Sequence, residues 1–173
     1  SLTPAQLLAV MALDTVTYAD PTPARGFDMD NARIQGGAVY VNAFGSYDGT
    51  GVRAEITERF DETHPDLVGR VLARSAGADS HGHCTAGIVG GSGAGNAAAT
   101  GMMPNCTLIE GAYTATSHYA QMVGSTDPAL PWQAMLATAS WGSAVTTLYT
   151  TVSQDVDDGL FDSDLTRLNS QGN

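Results

Sequence analysis

The sequence predicts an α/β domain with a parallel sheet, and three observations lead there. Short apolar runs of strand character alternate with segments of helical spacing. No internal repeat interrupts that alternation. The 173 residues fit one domain and suffice to bury a core.

The elements follow in chain order. "SLTPAQLLAVMALD" offers Ser and Thr as caps and Pro4 in a first turn, then apolar residues at helical spacing, so a short helix is expected over about residues 3–13. "YADPTPARGFDMDNARIQGG" is rich in Pro, Gly and Asp and reads as an irregular surface segment. Residues 1–41 therefore form an N-terminal helix and surface segment, and 42–173 the main body. "GTGVRAEITE" is a glycine turn feeding a strand, with Val52, Ala54 and Ile56 on one side and Glu58 next in that phase. "CTAGIVGG" suits a tightly packed buried helix, and "GGSGAGN" after it a flexible loop. No Lys follows those glycines, which excludes a P-loop. "NCTLIEGAYT" reads as a buried strand, and "PWQAMLATASWGS" as a helix running into a strand and a turn. Leu148, Val152, Val156 and Leu160 recur at four-residue spacing, the mark of an amphipathic helix. "DLTRLNSQGN" supplies a last buried strand.

Charge excludes one class of partner. The seven basic residues are all Arg, set against eighteen carboxylates for a net charge of -11. Without clustered cations, phosphate recognition has no footing, so nucleic acid is not an expected partner. No apolar run reaches the roughly 18 residues of a membrane span, so no membrane partner is expected either. A first residue of Ser without a signal peptide leads to the expectation of a processed, secreted protein. Cys84 and Cys106 allow a single disulfide in such a setting. "HGHC" places three candidate ligands in four residues, but no second cluster completes a tetrahedral site, and no metal is assigned there.

Four ordered segments carry a further signal: "GTGVRAEITERFDETHPDLVGRV", "SHGHCTAGIVGG" with the downstream "GMMPNCTLI", "ASWGS", and "DLTRLNSQGN". Each alone is weak. In this order, over roughly residues 42–173, they resemble the subtilisin-like serine proteases, the subtilase family. The resemblance implies a parallel-sheet, three-layer sandwich that is incomplete in this chain, and a serine endopeptidase acting through an acyl-enzyme.

It also implies roles. A serine hydroxyl becomes a competent nucleophile when a hydrogen-bonded imidazole removes its proton. His81 matches that general base, although His83 and Cys84 stand where the family has Thr and a second His. The carboxylate that orients the imidazole is less direct. Aligning "HPDL" puts Thr57 in its place, whereas aligning "GTGV" puts Glu58 there. Glu58 is favoured, Asp61 is the runner-up, and a site without a functional carboxylate stays open. Asn173 matches the oxyanion donor. Ser140, Trp141 and Gly142 match the strand that holds the peptide backbone, with Trp141 either a pocket wall or core. No cofactor is required, and Ca2+ as a structural ion is an expectation of the resemblance alone, since no stretch matches a defined calcium loop.

The family's Gly-Thr-Ser nucleophile segment is missing. The expectation is therefore a protease cut after Asn173, whose C-terminal chain carries the serine and stays associated, with protein or peptide as substrate. The competing expectation is a non-catalytic subtilase-like module that binds peptides or a partner.

Overall fold

A strand buried on both faces needs apolar or fully satisfied residues at every position, and residues 53–56 meet that condition. Ala54 and Ile56 are fully buried on one face, and Glu55 is buried on the other within a set of hydrogen bonds. The computed structural model describes residues 2–19, 29–74, 77–112, 114, 117–142 and 146–170. In it β1 (Arg53–Ile56) is the centre of a five-stranded sheet. The others are β2 (Val71–Leu72), β3 (Thr107–Glu110), β4 (Leu136–Ala139) and β5 (Thr166–Asn169), in the order β2-β3-β1-β4-β5. Every pairing is parallel, as the alternation of strands and helices predicts.

Helices cover both faces. On one, α4 (Ser80–Gly90) packs over Ala54, Ile56, Phe60, Cys106 and Leu108. On the other, α5 (His118–Thr126) lies against Ile109, Ala137 and Leu165 through Met122, and α6 (Thr151–Ser163) packs on α5. The architecture is an α/β sandwich of three layers.

The second face is held by an ionic network. Gln121 and Ser125, one turn apart on α5, both donate to the Glu55 carboxylate. Arg74 brings its guanidinium to 3.9 Å from Glu55 and lies 5.9 Å over the Trp132 ring. The helix thus turns polar side chains inward and brings two of them to the strand's one buried charge.

Several sequence expectations change here. The N-terminal helix stands as α1 (Pro4–Met11), closed by a capping box between Thr3 and Gln6. The segment read as wholly irregular contains α2 (Met29–Gln35), whose residues include no Pro or Gly; the Pro-rich part lies outside the described residues. A further helix, α3 (Ala38–Gly45), follows it. Residues 131–135 are irregular and bent rather than helical before β4, with Gln133 at φ 48. The apolar stripe of α6 is not its buried side: Leu148 and Val152 are exposed, while Gly159 and Ser163 are buried. Gly159 lets α6 approach Met122 of α5, where a Cβ would come within 2.9 Å of the sulfur. β5 is an edge strand with largely exposed side chains, not a buried one.

Both cysteines are free thiols. Cys106 is fully buried beneath Gly90, and burial pushes its pKa up to about 11. Cys84 is exposed on α4, and the disulfide that the two cysteines allowed does not form. Among the described residues no helix is long and apolar enough to cross a membrane.

Candidate active site

Parallel sheets present their functional groups beyond the carboxyl ends of the strands. Glu58 lies two residues past the end of β1, in phase with Ala54 and Ile56, and is 3% exposed. Thr57 is held in place by its N–H, which donates to the Thr138 carbonyl at 2.9 Å. That bond continues the β1–β4 pairing one residue beyond the strand and fixes the direction in which Glu58 leaves it.

α4 delivers the histidine. Asp79 caps the helix, its Oδ1 accepting from the backbone N–H of His81 at 2.7 Å and of Gly82 at 3.3 Å. His81 is the second residue of the helix, and its Nδ1 hydrogen-bonds Glu58 Oε1. The second carboxylate oxygen, Glu58 Oε2, is buried with no partner. Packing does not hold the ring: its side chain is 62% exposed, and the bond to the almost fully buried Glu58 orients it.

Gly82 allows this approach. A Cβ there would lie 2.8 Å from Glu58 Cβ and would also strike the Arg59 carbonyl oxygen. Inside a helix Ala ordinarily gains about 1 kcal/mol over Gly. Here a backbone oxygen stands in the way, and overpacking costs about 1–3 kcal/mol, so the clash decides the sign. Gly82→Ala is expected to lower the melting temperature and to loosen the Glu58–His81 pair. Thermal unfolding, together with the His81 imidazole proton resonances, checks both effects.

The other carboxylate weighed from sequence is committed elsewhere. Asp61 accepts from Thr63 N–H and hydroxyl at 2.9 and 2.6 Å, and those bonds hold its pKa below the ordinary carboxylate value. It caps its own exposed turn. The buried Thr57 hydroxyl has no hydrogen-bond partner, His81 included.

Ser140, Trp141 and Gly142 continue from β4. Ser140 and Trp141 line a cleft of about 230 Å3 together with Glu58, Asp79 and His81. Trp141 Nε1 donates to the Thr57 carbonyl at 2.9 Å, and Ser170 Oγ donates to the Trp141 carbonyl at 3.0 Å. Trp141 is therefore a half-buried wall bonded to the residue beside Glu58. Asn173 lies outside the described residues.

Two contributors escaped sequence reasoning. Asp79 could have been found, because an Asp just before a helical run is a capping signal. The Thr57–Trp141 bond could not, since it joins residues far apart in the chain. His83 faces a different cavity, where its ring meets His64 edge-on at 4.4 Å. Among the described residues no group of three or more His, Cys, Asp or Glu could hold a metal ion.

No protein-family model matches the sequence, and no curated protein does. A solved structure does resemble it: MycP1 with the N-terminal propeptide removed, at a TM-score of 0.53 and 19% identity. The likeness covers 85% of this chain and 49% of that one, so the chain spans about half the length of the structure it matches. The fold is subtilisin-like.

Proposed function

We propose that this chain supplies the general base and its orienting carboxylate to a serine endopeptidase. The observation that carries the reading is the Glu58–His81 hydrogen bond, with the carboxylate buried and the ring open toward the cleft. Nδ1–H donates to Glu58, which leaves Nε2 as the basic nitrogen.

The steps then follow from proton balance. A serine hydroxyl attacks the peptide carbonyl while His81 Nε2 takes its proton. Glu58 stabilises the resulting imidazolium. Collapse of the tetrahedral intermediate expels the amine, which receives that proton from His81 and leaves an acyl-serine. Water then attacks the ester by the same route in reverse. Asn173 would donate to the oxyanion, a contribution of about 2.7–4 kcal/mol in this reaction class. Ser140 to Gly142 would pair with the substrate backbone.

The attacking serine is assigned to a companion C-terminal chain of the same protease, packed against β5. Supporting this, among the described residues β5 pairs only with β4, and its one large apolar residue, Leu168, is 56% exposed. An open sheet edge is a place where further structure adds.

A fluorophosphonate probe followed by intact-mass and peptide mapping tests the proposal. The expected result is one adduct, on a serine outside these 173 residues, that disappears in His81→Ala. An adduct on Ser140 would overturn the assignment of the nucleophile. Absence of any adduct in folded protein would favour a peptide-binding module without catalysis.

A further inference from the structure

A second cavity, of about 400 Å3, opens next to the cleft and shares its Trp141 wall. It lies on the α5 and α6 side of the sheet, and its lining includes His118, Thr150, Ser153, Val156 and Arg167. Strand register explains the presence of a cation. Arg167 pairs with Ala137, and Ala137 with Glu55, so these three positions share one face of the sheet.

Arg167 is short of partners. Its Nε donates to Asn169 Oδ1 at 3.0 Å. Among the described residues it makes no other hydrogen bond, and no carboxylate lies within ion-pair distance. Burial lowers its pKa, and the more distant Glu55 opposes that shift. A partly desolvated guanidinium without a counter-ion is costly, and in a chain of net charge -11 it is conspicuous.

His118 stands opposite with capacity to spare. The residue is only 9% exposed, its ring lies 5.2 Å from that of Trp141, and its Nδ1 is buried without a partner. Burial and then the charge of Arg167 lower its pKa, with Asp155 acting the other way. The Asp155 carboxylate already accepts the His118 backbone N–H at 3.0 Å. Thr150 and Ser153 bond each other in the cap of α6 and so are occupied. The pocket thus combines apolar sides, one unpaired guanidinium and one unused ring nitrogen.

We propose that this pocket takes the carboxylate of an Asp or Glu side chain in a peptide lying along Ser140 to Gly142. Arg167 supplies the charge and His118 a further hydrogen bond. The placement of the peptide rests on the hydrolase reading above, and the pocket narrows its substrates to acidic sequences. Charge-assisted hydrogen bonds to a buried partner are worth about ten- to a hundredfold in affinity.

The test uses the intact protein with N-acetylated, amidated peptides that differ only in Glu against Gln. Binding is read by tryptophan fluorescence, and cleavage separately by mass spectrometry. Preference for Glu by at least about tenfold, lost in Arg167→Gln and partly kept in Arg167→Lys, supports the pocket. Equal binding of the Glu and Gln peptides to the parent protein overturns it, and this arm needs no variant to fold. A preference that survives in a folded Arg167→Gln protein also overturns it. An equal response to an alanine peptide with a free carboxyl terminus removes the side-chain assignment. Selective binding of Glu peptides without cleavage keeps the pocket while removing the hydrolase reading.

Discussion

Glu58→Gln is expected to lower kcat for peptide hydrolysis about 10^4-fold with little change in stability. The amide has nearly the shape of the carboxylate, so the cleft should survive. It can nonetheless present its NH2 group to His81 Nδ1 and select the tautomer that carries the proton on Nε2. That nitrogen then cannot accept the serine proton. Nor does a neutral amide stabilise the imidazolium. His81→Ala removes the base itself and is expected to cost about 10^6-fold. The two losses should not add, because both residues act on one proton. Steady-state hydrolysis of a chromogenic peptide by the single and double variants measures this. A Glu58→Gln enzyme within tenfold of the parent would leave Glu58 without a catalytic part.

Glu55→Ala is expected to be the most destabilising single change on the opposite face of the sheet. It would leave the Gln121 amide NH2 without its acceptor and the Arg74 guanidinium without its counter-ion, while Ser125 would lose one of its partners. Removing one member of a buried ionic set typically costs about 3–5 kcal/mol. At this chain length that corresponds to a melting temperature lower by roughly 10 °C. Glu55→Gln should recover part of the loss, since its amide oxygen can still accept from Gln121 or Ser125 while the pairing with Arg74 is gone. Calorimetry on the parent and both variants decides. A Glu55→Ala protein that melts with the parent would show the network to be inert.

These two residues also show how far the sequence could be read. Glu58 was legible because strand alternation carries the phase of Ala54 and Ile56 forward by two, and the hydrogen bond of Thr57 to β4 preserves that phase. Glu55 gave no such sign, since a charged residue in a short strand reads as solvent-facing. Its burial depends on α5, and that helix was itself missed. The buried side of α5 is mostly polar, with Gln121 and Ser125 beside the single apolar Met122, so little in the sequence announced it. The stripe on α6 misled in the opposite sense, because apolar spacing marks a face without saying what covers it. At 131–135 local composition favoured a helix, whereas the chain runs irregularly and sets the Trp132 ring beneath Arg74. The capped start of α4 and the parallel order of the strands follow from local signals, and both were readable. The pocket beside Trp141 draws on α5, α6, β4 and β5 together, so no segment could have disclosed it.

The length of α4 has a practical consequence. Eleven residues at about 1.5 Å of rise per residue separate its two ends by roughly 16 Å. His81 sits at the first end, and the exposed loop of residues 92–97 follows the second. The loop's ties are few and at the surface, chiefly from the N–H of Gly95 and the hydroxyl of Ser92 to Asp66. A tag or reporter domain spliced in near Ala94 would therefore sit far from the chemistry and disturb no buried side chain. The stretch from Arg53 to Glu58 offers no such freedom. One residue added or removed there would rotate the carboxylate to the opposite face of the sheet, so engineers should treat that span as fixed in length and the glycine loop as the docking port.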